Sequence, residues 1–138
     1  MTSPPLAPPV LVPRILHAAL VGGALIAAAV LAVLRQTAPP TGAVPGSLLR
    51  YVLLGIAVGV VVAFRTLRGR LEPPAGPGDE AAWWRTNLGF ALVSWALAET
   101  LALVAASFYY LTGDPLALGV AAGGVGLLLF ARPGRPVE

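Results

Sequence analysis

Residues 87–131 read NLGFALVSWALAETLALVAASFYYLTGDPLALGVAAGGVGLLLFA. This is an apolar run carrying a single carboxylate, Glu99, then the break Thr112-Gly113-Asp114-Pro115, then a second apolar run studded with glycine. Gly113 can take the left-handed backbone that closes a helix, Asp114 can cap the next one, and Pro115 suits a first turn, where its missing N–H has no partner to lose. The stretch therefore predicts two helices joined by a tight turn, over about 87–111 and 116–131. At ~1.5 Å per residue the first is long enough for a ~30 Å bilayer core. The second, at roughly 24 Å, must stand nearly upright or sit in a thinned bilayer.

Composition extends this reading to the whole chain. With 57% hydrophobic and 11% charged residues among 138, and a mean hydropathy of +0.83, the chain is too apolar for an ordinary water-soluble domain. It reads as an integral membrane protein. The absence of cysteine excludes a disulfide framework, a thiol nucleophile and zinc-thiolate sites. One histidine and six scattered carboxylates offer no ligand cluster, so neither a metal nor another cofactor is expected. There is no Ser/His/Asp set and no phosphate-binding glycine loop, and the chain is not read as an enzyme. The net charge of +3 rests on nine basic residues, all arginine, at the ends of apolar runs. That placement suits anionic headgroups and topology rather than nucleic acid.

Toward the N-terminus, Asp79 and Glu80 suit a helix start, and Trp83, Trp84 and Arg85 are expected at the headgroup boundary, in an interfacial turn leading into the third span. A platform for a quinone or sugar is the functional alternative for these tryptophans. Phe108, Tyr109 and Tyr110 form the girdle expected at the opposite interface. A second span over about 48–67 carries Gly55, Gly59 and Ala63 on one stripe, expected to pack inside the bundle. Gly119 and Gly123 make the fourth span thin enough to lie against the third. The first span, about 15–34, is bracketed by Arg14 and Arg35 and places small residues four apart at Ala18-Gly22 and Ala19-Gly23-Ala27. His17, in its first turn, is expected to be solvated or snorkelling near the headgroups.

Prolines 4, 5, 8, 9 and 13 predict an extended, non-helical tail over residues 1–13, too unlike a signal sequence to be a cleaved one. Proline- and glycine-rich connections follow over 37–47 and 72–78, and residues 132–138 form a C-terminal tail. The expected architecture is all-α: one domain over 14–131, a bundle of four transmembrane helices arranged as two helical hairpins. Seven arginines (14, 65, 68, 70, 85, 132 and 135) fall on one side and two (35 and 50) on the other, which predicts both termini in the cytoplasm.

Glu99 lies 12 residues from Asn87 and 12 from Leu111, near the bilayer centre. An ionised carboxylate there costs on the order of 3 kcal/mol or more, so it must be paired, hydrated or protonated. His17, Arg14 and Arg50 belong near the interfaces, roughly 10 to 20 Å away in depth. Glu99, with Thr100 beside it, is therefore expected to be neutral in the isolated bundle, donating to a backbone carbonyl or hydroxyl unless another subunit supplies the partner. One reading makes it a polar staple, or a docking group for a neighbouring membrane protein, in a structural or accessory subunit. The other makes it a reversible proton-binding carboxyl in a transport protein, acting as a homo-oligomer.

The segment Ala96-Leu97-Ala98-Glu99-Thr100-Leu101-Ala102 resembles the carboxylate helix of the rotary ATP synthase proteolipid, subunit c, whose Ala-Glu pair binds the transported proton. That resemblance covers one helix, and the glycine-rich helix follows it here where the proteolipid's precedes it. The wider layout, with Arg85 before the third helix, Ala96 to Glu99, the Leu111-to-Asp114 turn and Arg132-Pro133, is similar to a family of small bacterial four-helix membrane proteins of unassigned function. This second resemblance implies a multi-pass protein of the bacterial inner membrane and no activity.

Overall fold

The computed structural model describes residues 11–41, 46–71 and 80–133. They form four helices, α1 (Leu11–Thr37), α2 (Gly46–Arg68), α3 (Glu80–Thr112) and α4 (Pro115–Phe130), with no strand among the described residues. The first three are long and apolar enough to cross a membrane, whereas α4 has 16 residues.

The helix boundaries follow local chemistry. α1 begins at Leu11, so Pro13 is inside the helix rather than in an extended tail. A proline in the first turn is tolerated because the N–H it lacks would be without an intrahelical partner anyway. The helix runs on past Arg35 to Thr37, whose hydroxyl bonds back to Val33 O at 3.0 Å. α3 is continuous from Glu80 for 33 residues, ~50 Å of helix, so the tryptophan segment is its first turns. Residues 1–10, 42–45, 72–79 and 134–138 lie outside the described residues, and with them Asp79 and most of the expected tails and loops.

α3 is the common neighbour of the other three helices. α3 and α4 pack along one another, whereas the backbones of α1 and α2, though consecutive, do not approach each other closely. Two apolar clusters fill the seams. Near the chain termini, Ala24, Phe64, Trp84, Ala91, Trp95, Val125 and Leu128 surround Ala98 and Ala102. Near the α3–α4 turn, Leu53 of α2 packs on Ala105, Ala106, Ala117 and Ala121. Alanine dominates because small side chains let α3 and α4 approach closely, and dispersion then acts between backbones as well as side chains.

The closest approach is at Gly124. A Cβ there would stand 2.7 Å from Ala102 N, 2.9 Å from Ala98 O and 3.0 Å from Ala102 Cα, all backbone atoms. The glycines singled out from sequence are placed elsewhere. Gly55, Gly59, Gly119 and Gly123 are exposed, and a Cβ on any of them would meet nothing within 4 Å. None of the four packs against another described residue; on α4 it is Gly124 that meets α3.

Candidate functional site

Glu99 stands on the stretch of α3 that faces α1. Its side chain is half-buried, and its Oε1 lies 3.8 Å from where a Cβ on Gly23 would be. Gly23 is exposed and Ala24 beside it is buried. The carboxyl thus lies half-buried beside α1, next to an exposed Gly23 that contributes no side chain. Among the described residues no hydrogen bond or ion pair engages it, so the expected donation to a backbone carbonyl or hydroxyl is not made among them. Thr100 is exposed. No group of three or more His, Asp or Glu that could hold a metal ion occurs among the described residues.

Both ends of the molecule are tied by polar side chains to helix C-termini. At the turn end, Gly113 adopts φ 70° and its N–H bonds to Tyr109 O at 2.7 Å, closing α3. Asp114 caps α4 by accepting from Leu116 N at 3.0 Å, and Asp114 N donates to Thr112 Oγ1 at 3.1 Å. Arg35, from the end of α1, lies over Gly113 and donates through Nη1 to Tyr110 O at 3.2 Å and Leu111 O at 3.4 Å, placing a cation at the negative end of α3. Arg50, from the start of α2, grips Asp114 with both arms of its guanidinium, Nε to Oδ2 at 2.8 Å and Nη2 to Oδ1 at 3.1 Å. These bonds, then the one from Leu116 N–H, hold the Asp114 carboxyl below the usual carboxylate range. The turn is thus held from both sides, Arg35 of α1 on the last carbonyls of α3 and Arg50 of α2 on the Asp114 cap of α4.

At the other end, α4 stops level with His17. His17 is buried rather than solvated, and its Nε2 donates to Leu128 O at 2.7 Å. Because a carbonyl only accepts, Nε2 carries the proton. The imidazole packs edge-on against Trp95 at 5.0 Å, and Trp95 Nε1 donates to Ala131 O at 2.9 Å. The reason is geometric. A short helix ending among apolar side chains leaves carbonyls that need donors, and α1 and α3 each provide one.

The expected interface anchors divide. Trp84 is only 4% exposed and sits in the core between Trp83, at 4.8 Å, and Trp95, at 6.1 Å. Its Nε1 is the one buried side-chain polar atom without a hydrogen-bond partner among the described residues. Trp83 is half-buried and Arg85 exposed. Tyr109 and Tyr110 are half-buried, and the Tyr110 hydroxyl donates to Ala38 O at 3.4 Å. An aromatic pair beside an arginine reads as a headgroup belt in sequence, but helix rotation sends one member inward.

Several of these groups had no separate signal in the sequence. Gly23 is one small residue among many on α1, and nothing local marks it as the neighbour of Glu99. Arg50 and Asp114 are opposite charges on the same side of the expected topology, and that topology alone could have paired them. No protein-family model matches this chain, and neither a curated protein nor a solved structure is similar to it.

Proposed function

We propose that this chain is a multi-pass protein of a bacterial inner membrane, with all four helices spanning and both termini in the cytoplasm. Its role is that of an accessory or structural subunit of a membrane complex, with Glu99 as a lateral docking group. One observation carries the choice: the Glu99 carboxyl, half-buried beside Gly23, has no polar partner among the described residues. A staple internal to the bundle would need such a partner. A carboxyl held in apolar surroundings is too costly to keep without a use, and a hydrogen-bond donor on a neighbouring helix meets its need. Long apolar faces of α1 and α2, carrying Ile26, Val33, Val58 and Val62 among others, are exposed and available to lipid or to that neighbour.

The exposed Gly23 beside Glu99 also favours a second reading, a reversible proton-binding carboxyl reached from the side. One experiment separates the two. The protein is labelled with a lipid-soluble carbodiimide in native membranes across pH, with Glu99→Gln as the control, and a photo-crosslinker at Leu20 or Ala27 is analysed in parallel. Docking predicts a crosslinked partner that is lost in Glu99→Leu, and a Glu99 protected from carbodiimide. Labelling that fades as pH rises, with no crosslinked partner, would replace docking by proton binding.

A further inference from the structure

Two arginines are half-buried among the described residues, Arg35 and Arg68, and they differ in what surrounds them. Arg35 donates to the carbonyls of Tyr110 and Leu111. Arg68, in the last turn of α2, has its guanidinium carbon 5.9 Å from the centre of the buried Phe64 ring and 5.6 Å from that of the exposed Phe130 ring of α4. No hydrogen bond or ion pair engages it among the described residues. Two rings from two helices thus hold the cation by cation–π attraction, and its N–H donors are left for an acceptor from outside.

An apolar furrow leads away from that cation. On α4, Phe130 shares a face with Gly126, Gly123 and Gly119, all exposed, and a Cβ on any of these glycines would meet nothing within 4 Å. On α2, Arg68 shares a face with Val61 and Leu54, which are also exposed. Because the Phe130 ring lies against Arg68, the two faces adjoin along the α2–α4 seam, which is bare of side chains on the α4 side. We propose that this furrow binds a membrane phospholipid, its phosphate on the Arg68 guanidinium and an acyl chain lying over Gly126, Gly123 and Gly119.

Three features argue for that occupant. The first is depth: α2 has 23 residues, ~34 Å of helix, so Arg68 at its end stands where a ~30 Å hydrocarbon core gives way to headgroup phosphates. The second is chemistry, since guanidinium matches phosphate oxygens in geometry as well as charge, and a phospholipid joins that acceptor to a chain suited to the glycine face. The third concerns the helix ends, whose negative carbonyls would repel an anion. Those of α2 accept from backbone, Arg65 O from Gly69, Leu67 O from Arg70 and Arg68 O from Leu71. Those of α4 accept too, Leu127 O and Leu128 O from Ala131 N–H and Leu128 O also from His17. The site rests on the membrane placement of the helices and not on the role of Glu99.

The test is native mass spectrometry of the full-length protein, delipidated in detergent and titrated with palmitoyl-oleoyl phosphatidylglycerol or with palmitoyl-oleoyl glycerol, which has the same chains and no phosphate. Adducts are read on the folded species. Phosphatidylglycerol adducts should exceed those of the neutral lipid, and Arg68→Gln should weaken them about fivefold. Arg70→Gln, which removes equal charge at the same end, should leave them unchanged, as should Glu99→Gln. Gly123→Leu with Gly126→Leu, which keeps Arg68 but fills the furrow, should weaken both lipids. Alkaline extraction of native membranes tests the placement separately. Release of the protein would overturn that placement, whereas retention in the membrane with equal binding of the two lipids would overturn the site alone. An equal loss in Arg70→Gln would overturn the site as well, as would full retention in the double glycine variant. Complete displacement by inorganic phosphate would show a site for the anion alone, and glycine-dependent dimers in place of lipid adducts would give the furrow to a second copy; either would overturn the proposal.

Discussion

Gly124 lies against the backbone of Ala102 so closely that a Cβ on it would stand 2.7 Å from the Ala102 nitrogen. Backbone atoms inside a helix cannot step aside as a side-chain tip can. Gly124→Ala should therefore destabilise the α3–α4 pair by about 1–3 kcal/mol despite alanine's better helix propensity. Gly119→Ala and Gly123→Ala, made on the same helix where space is open, should be neutral or slightly stabilising. Thermal unfolding of the three variants in detergent checks this, and equal behaviour of all three would show that the close approach is absent.

Gly23 controls the room around Glu99. A Cβ at 3.8 Å from Oε1 is an ordinary contact, so Gly23→Ala should leave the protein unchanged. Gly23→Leu should instead crowd the carboxyl and reduce whatever reaches Glu99 laterally, whether a carbodiimide or a crosslinked partner helix. Unchanged access in Gly23→Leu would place the approach elsewhere.

The Arg50–Asp114 pair should give the turn end a specific acid sensitivity. Because the folded Asp114 carboxyl is held below its usual range by Arg50 and by Leu116 N–H, its contribution is complete above the unfolded value of about pH 4. It is lost as pH falls further, through the lower folded value. Protease resistance of the turn should be flat from neutral pH down to about 5 and should decline below about 4. Asp114→Asn, which keeps a capping side chain but removes the charge, should abolish that decline. High salt should weaken the pair, because Arg50 is 52% exposed.

His17→Phe keeps a ring beside Trp95 and removes the donor to Leu128 O. Leu128 O would keep only its 3.1 Å bond from Ala131 N–H, and the loss of the His17 bond should cost about 0.5–1.5 kcal/mol, read as a lowered Tm in detergent. His17→Gln, which can donate again, should recover part of it. A solvated interface histidine would show neither effect.

Gly55→Leu and Gly59→Leu should change the stability of the single chain by no more than about 0.5 kcal/mol, because both positions face outward. Size-exclusion chromatography of the same variants tests whether the stripe serves contact between copies. A shift to smaller species with unchanged unfolding would assign it there.

The turn at 112–115 was legible in sequence because every constraint acts within four residues: a glycine that can take positive φ, an aspartate that can cap and a proline suited to a first turn. Helix positions were legible to within a few residues for a related reason, since apolar length and proline or glycine breaks act locally. Pro13 misled because a proline is tolerated in a first turn and disruptive further in, and the sequence does not mark where the helix begins. His17 misled more deeply, because its partner, Leu128, is 111 residues away.

The sequence by itself determined four apolar helices, the sharp turn between the last two, and the depth of Glu99 along its helix. Apolar length and chain position measure distance along an axis, and no packing is needed to read them. Only the tertiary structure decided the rotation of each helix: that Gly124 rather than Gly119 or Gly123 meets α3, that Trp84 turns inward, and that Glu99 lies beside Gly23. The physical reason is that α3 and α4 are apolar nearly all the way round. Burial from water then favours no face, and rotation is set by where backbones can approach and which helix ends need donors.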